Sequence, residues 1–234
     1  MPVLVYNNRN GRDAELLERY EEPAWNNPVV RFFSAAKGGT PGRELLPRRE
    51  GVWAAGALAG RLEEALRAAE RPVPGWLALA VEELAPGPFE RAVLAMPCFW
   101  RGEAVLGSLA GVRTVRAAFL EGHEVVDLTY DPGRLPLAQL LARASSEGCA
   151  ARAWVPPAAL AAARAEIGER ALPLRTEPRV APDSDHEHDL ARSPLRGLAL
   201  TPLQRVRVNA WLGNGRDPSE WLTPAQRRAT AGAR

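Results

Sequence analysis

Among 234 residues only two carry a thiol, Cys98 and Cys149. Two cysteines are too few for a disulfide-stapled scaffold or a four-thiolate zinc site. They leave three chemistries: two inert thiols, one functional thiol, or a redox pair. The stretch around Cys98, PCFWRGEAVLGSLAGV, is the informative one. A strand pattern (FERAVLAM) runs into it. A helix pattern leaves it, with Phe99, Val105, Leu106 and Leu109 at apolar positions and Gly111 as the stop. A thiol at a helix start faces the positive end of the macrodipole and several unpaired N–H groups. Both favour the thiolate, which is the nucleophile. Phe99 and Trp100 beside it would build an aromatic wall on which a sulfur substrate packs.

Other reactive side chains are less well placed. Asp183, Asp185, His186, Glu187, His188 and Asp189 lie close together, but the His-x-His spacing fits no helical face for a metal. That run reads as a solvated acidic loop or helix start, and no metal or other cofactor is expected. His123 falls in a tight strand connection and reads as exposed.

The elements that must hold Cys98 follow from period and punctuation. After the strand and helix come a strand (VRTVRAAF), a tight LEGH connection, an alternating strand (EVVDLTY), a turn at Asp131-Pro132-Gly133, a helix over 135–144 and a last strand over 149–155. The sum is βαββαβ, the ferredoxin-like split sandwich. Such a fold hosts many functions and selects none of them. Its last strand lies beside its first, which brings Cys149 toward the start of the Cys98 helix. Cys149 is then either a resolving thiol or a packed core thiol.

Upstream, residues 3–6 read as a buried strand, and Asp13 as the cap of a helix bearing Leu16, Leu17 and Tyr20. A β-rich VVRFF, a Gly-rich hairpin loop at 38–42 and a short strand near 44–46 follow. Two helices come next, one with Ala54, Leu58, Leu62, Ala65, Leu66 and Ala69 at helical spacing, the second over about 76–84. Pro86-Gly87-Pro88 marks the main boundary. Downstream, residues 158–170 form an Ala-rich helix, and 172–189 lack periodicity. Three helix starts then follow the rule of a capping residue before proline: Thr201-Pro202, Asp217-Pro218 and Thr223-Pro224. The expected architecture is α+β. Residues 1–86 form a partial thioredoxin-like domain, 87–172 the βαββαβ domain, and 173–234 a loop with short helices.

Composition narrows the partners. With 46% hydrophobic residues the chain buries a real core. No apolar run reaches the roughly 20 residues of a membrane span. All basic residues but Lys37 are arginine, scattered among acidic residues, and the formal charge is only +2. That is a solvated surface, not a nucleic-acid stripe. A soluble, cytoplasmic chain that binds neither nucleic acid nor membrane is expected.

Cys98, Phe99, Trp100 and Glu103, with Ala104-Val105, Leu109, Gly111-Val112 and Thr114, resemble the motif of the peptide methionine sulfoxide reductase A family. EVVDLTYDP resembles the strand of that family that ends in Tyr-Asp-Pro, which places Glu124 at the family's acidic residue. The resemblance implies Cys98 as nucleophile, Phe99 and Trp100 as the pocket for the substrate methyl group, and Glu124 as proton donor. It implies an oxidised methionine in a peptide or protein as substrate and a thioredoxin-like thiol as reductant. The chain departs from the family at Pro97, where the family has Gly, and at Phe119, where it has a Tyr hydroxyl. The family's distal Asp and Tyr have no counterpart. Met96-Pro97-Cys98 also resembles half of the Met-x-Cys-x-x-Cys motif of heavy-metal-associated Cu(I) domains, but Arg101 stands at the second Cys.

The order of elements before residue 86 resembles the second half of a thioredoxin fold, with Pro28 at its cis-proline. PAWNNPVVRFF, GRELLPRREGVW and TPLQRVRVNAWLGNGRDP resemble the VPGUxxT family of thioredoxin-like (seleno)proteins. That likeness implies a redox motif upstream of Met1 and hence an N-terminally truncated chain. It also implies the rival to an enzyme, a non-catalytic thioredoxin-like scaffold module.

Overall fold

The computed structural model describes residues 4–22, 29–35, 42–52 and 54–231. They divide into two compact units, Met1–Leu84 and Ala85–Arg234. The first contains α1 (Arg12–Arg19), β1 (Val29–Val30), β2 (Arg49–Glu50), α2 (Ala55–Ala68) and α3 (Gly75–Leu84). Strands β1 and β2 pair antiparallel, and Phe33 bridges to Glu44 beyond them. Arg31 fixes that bridge by donating to both Glu44 carboxylate oxygens at 2.8 and 2.9 Å. Residues 4–6 do not form the strand expected of them. Leu4 is 73% exposed, and the Tyr6 N–H donates to the Asp13 carboxylate at 3.3 Å. Among the described residues no strand pairs with them, so an extended run here has no ladder to join. Helix α1 opens after Gly11, at φ 74°, with Asp13 inside its first turn and not at its cap. Pro28 lies outside the described residues.

The second unit contains β3 (Glu90–Ala95), α4 (Phe99–Gly107), β4 (Val112–Leu120), β5 (His123–Tyr130), α5 (Leu137–Ser146), β6 (Arg152–Val155), α6 (Leu160–Ile167), β7 (Ala171–Pro173), β8 (Arg179–Val180), α7 (His188–Ala191), α8 (Pro202–Gly213) and α9 (Pro224–Ala231). Its strands form one sheet in the order β7-β6-β3-β5-β4-β8. Neighbours run antiparallel except β6 and β7, so the sheet is mixed and the architecture is α+β. Leu94, Leu128, Leu106, Leu140 and Leu141 meet in the core on one side of the sheet. On the other, Val93, Ala95, Ala118, Val125 and Trp154 are equally buried. Central strands covered on both faces explain why FERAVLAM reads as a continuous apolar run. Glu121 at φ 50° and Gly122 at φ 80° make a two-residue hairpin turn between β4 and β5.

The segment after residue 173 is not an appendage in the structure. It adds β8 to the edge of the sheet and lays α8 along α4. A Cβ on Gly107 would stand 3.1 Å from the Ala210 methyl group, so the small residue permits that approach. Arg207, 2% exposed, reaches from α8 to donate to the carbonyls of Gly107 and Val112. All three proline starts occur. Thr201 and Gln204 form a reciprocal capping box, Asp217 caps the turn at Pro218–Trp221, and Thr223 accepts from the Gln226 N–H. Among the described residues no helix is long and apolar enough to cross a membrane.

Candidate active site

Ala95, the last residue of β3, pairs with Val125 on β5 and with Arg152 on β6. Three chain segments therefore share one end of the sheet: the exit from β3 toward Cys98, the start of β5 with Glu124, and the approach to β6 with Cys149. This convergence is the physical basis of the site.

Cys98 is the residue immediately before α4, in extended conformation at φ −152° and ψ 120°. Its carbonyl accepts the first helical bond, from the Gly102 N–H at 3.2 Å. The thiol is partly exposed, whereas Phe99 beside it is 5% exposed. Glu124 ties the junction twice. Its carbonyl accepts from the Met96 N–H at 3.2 Å, and its carboxylate accepts from the Phe99 N–H at 3.0 Å. A carboxylate on a first-turn N–H satisfies an orphan donor and sits at the favourable end of the helix dipole. A Cβ on Gly102 would stand 1.8 Å from the Met96 sulfur and 2.8 Å from Val126 Cγ2. The glycine lets α4 settle on the sheet, and so sets the height of Cys98 above its edge.

Cys149 is 1% exposed. Its thiol faces the Glu147 carbonyl at 3.6 Å. Burial pushes its pKa up, opposed by the Arg101 guanidinium and reinforced by Glu147. It is a protonated thiol in this state, and both cysteines are free. Arg101, in the first turn of α4, donates to Glu147 at 2.9 Å and thereby links the Cys98 helix to the Cys149 loop.

The aromatic wall exists but is filled from within. The Phe99 ring packs edge-on against Phe119 at 5.6 Å and against Trp100 at 5.9 Å. Arg179 lies over the Phe119 ring at 4.6 Å. Trp100 stacks on the His188 ring at 3.8 Å, and its indole N–H donates to the Asp185 carbonyl at 3.1 Å. The run at 183–189, expected as a solvated acidic loop or helix start, does lead into α7, but only Asp183 and Ser184 are exposed; 185–189 are half-buried, and Asp185 and His188 cover Trp100. His186 bonds to the Ala181 carbonyl at 3.0 Å. Among the described residues no cluster of three or more His, Cys, Asp or Glu side chains could hold a metal.

Beneath the cover lies Glu103, 1% exposed, one turn along α4 from Trp100. Its oxygens accept from the Glu187 N–H and the Asn209 amide, both at a long 3.4 Å. Burial dominates these weak bonds and raises the carboxyl pKa to about 7. The Asn209 oxygen accepts from the Asp189 and Leu190 N–H groups at 3.0 and 2.9 Å, which anchors the start of α7. Glu187 pairs with Arg205 on α8.

Sequence reasoning missed Asn209, the stacking of His188 on Trp100 and the burial of Glu103. Only the position of Glu103 in the Cys-Phe-Trp-x-x-Glu pattern hinted at it. The structure joins Phe99 to Glu124 by a hydrogen bond and sets Cys98 and Cys149 at the same end of the sheet. His123, expected to be exposed, is half-buried at the start of β5, its ring 6.0 Å from that of Trp154. Compared with known proteins, the chain matches no family model and no curated protein.

Proposed function

We propose that the chain is a thiol-based oxidoreductase whose nucleophile is Cys98 and whose substrate is an oxidised methionine in a peptide or protein. The observation that carries this reading is the junction itself. An accessible thiol precedes the first turn of α4, and the N–H next to it is bonded to a carboxylate, Glu124, at 3.0 Å. The inner strands β6-β3-β5-β4 lie in the order of a ferredoxin-like sandwich, which supports the likeness to methionine sulfoxide reductase A.

In the proposed reaction the Cys98 thiolate attacks the sulfoxide sulfur, and Glu124 delivers a proton to the oxygen. The sulfide leaves and Cys98 becomes a sulfenic acid. The Cys149 thiol then attacks that sulfur, releases water and closes a disulfide. A thioredoxin-like dithiol restores both thiols and is itself oxidised. The substrate methyl would pack on Phe99 and Trp100, which requires the 185–192 segment to leave the Trp100 face. Phe119 offers no hydroxyl, so Glu124 acts without that donor.

The filled wall favours a second reading. His188 and Asp185 already cover the Trp100 face that a substrate would take, as expected of a non-catalytic thioredoxin-like scaffold module. Turnover of a peptide sulfoxide with dithiothreitol separates the two. The enzyme reading predicts sulfide release that Cys98→Ser abolishes and that Glu124→Gln slows by about 10²-fold or more. No release by the unmodified protein refutes it.

A further inference from the structure

A concavity lies along α4, a turn along the helix from Cys98. It encloses about 340 Å³ between α4, the end of α5 and the loop after α8. Its charged groups are Arg101, Arg143, Arg216 and one carboxylate, Glu147, so guanidinium is in excess. Two of the guanidiniums are set in place by neighbours. Arg101 is held between Glu147 and the Asn214 side-chain oxygen, at 2.9 and 3.1 Å. Asn214 is itself fixed, because its amide donates to the Ala104 and Ala210 carbonyls at 2.7 and 2.8 Å. Arg216 stacks on the Trp211 ring at 3.8 Å. Arg143 projects from the last turn of α5, and among the described residues it and Arg216 pair with no carboxylate.

We propose that this cleft binds the acidic side chains of a peptide, and so selects clients that carry Asp or Glu near the residue presented to Cys98. The assignment of a client rests on the oxidoreductase reading; the binding itself does not. Three observations favour a peptide carboxylate over a compact inorganic anion. Glu147 already shows the kind of group Arg101 takes, a side-chain carboxylate at 2.9 Å. The guanidiniums come from three separate elements, α4, α5 and the loop after α8, and so line a spread-out cleft. Val105 and Leu109 line the floor between them, which suits the methylene groups of an acidic side chain. Guanidinium pairs carboxylate through two parallel hydrogen bonds, so the cleft discriminates by geometry as well as charge.

The probes are two acetylated hexapeptides, one with three Glu residues followed by Met and one with Gln at the same three places, plus inorganic phosphate. Binding is read by calorimetry on the full chain carrying Cys98→Ser. The acidic peptide is expected to bind at least tenfold tighter than the Gln peptide and to weaken with added salt. Arg143→Ala should cost it about fivefold, Arg143→Glu more, and Arg143→Ala with Arg216→Ala about twentyfold. Far-UV circular dichroism checks that each variant is folded. Equal affinity for the two peptides, or indifference to the Arg143 series, overturns the proposal. Phosphate binding as tightly as the acidic peptide also overturns it, leaving a simple anion site. Because the readout needs no thiol, a protein that binds the peptide but never reduces a sulfoxide refutes only the oxidoreductase reading. One that reduces sulfoxides without preferring the acidic peptide refutes only the cleft.

Discussion

Replacing Glu103 by glutamine should reverse sign with pH. In the folded protein burial keeps this carboxyl protonated up to about pH 7, against an ordinary value of 4.5. Between those values the folded state holds a proton that the unfolded state has lost, so stability falls as pH rises. The full effect is about 3 kcal/mol, reached above pH 7 and nearly gone by pH 4. Glutamine carries no such term. It has a fixed cost instead, because the Asn209 side-chain oxygen is committed to two α7 N–H groups. One of the two donors, the Asn209 amide or the Glu187 N–H, must therefore face a side-chain NH₂ where the carboxyl offered an acceptor, a loss of about 1 kcal/mol. Glu103→Gln is thus expected to be about 1 kcal/mol less stable than the parent at pH 4 and about 2 kcal/mol more stable at pH 8. Urea unfolding followed by far-UV circular dichroism at both pH values measures this directly. A difference between the two proteins that is the same at pH 4 and pH 8 refutes the reasoning, because it means the buried carboxyl does not titrate in this range.

Three further outcomes follow from the same geometry. Brief alkylation with iodoacetamide at pH 8 should label Cys98 and spare Cys149 until the chain is unfolded, since Cys149 is 1% exposed and its pKa is raised by burial; peptide mapping by mass spectrometry reads the order, and equal labelling contradicts it. Gly102→Ala should lower stability by about 2 kcal/mol or more despite alanine's better helix propensity, because its methyl group meets the Met96 sulfur and Val126; an unchanged urea midpoint would show that α4 does not rest on the sheet as described. Glu124→Ala should cost about 1 kcal/mol through the uncapped Phe99 N–H, and a neutral result in the same urea assay would dismiss the carboxylate as the lock on the junction.

The strand–helix junction was legible because each of its parts has a local cause. Apolar β3, the break at Pro97 and Cys98, and apolar positions on α4 all report in one stretch of chain. So was the hairpin at Glu121-Gly122, and so were the three proline starts, each with its capping residue adjacent in sequence. What escaped notice depends on contacts far apart in the chain. Strand β8 is two residues long, too short to show a period. Helix α8 buries Gln204, Arg207 and Asn209 among its apolar residues, so it has no polar face for a pattern to find. Leu58 and Leu62, expected on the inner face of α2, are each 38% exposed, while Ala59, Arg61 and Ala65 are buried. The cover over Trp100 joins residues 85 positions apart through the Asp185 carbonyl, and nothing local marks His188 as its stacking partner.

The decisive experiment is a single turnover without added reductant. The fully reduced chain is mixed with one equivalent of a methionine sulfoxide peptide, and both partners are weighed by mass spectrometry. The account predicts one sulfide released per chain, with the protein two hydrogens lighter and a disulfide mapped between Cys98 and Cys149. An unreacted sulfoxide alongside two intact thiols would contradict it.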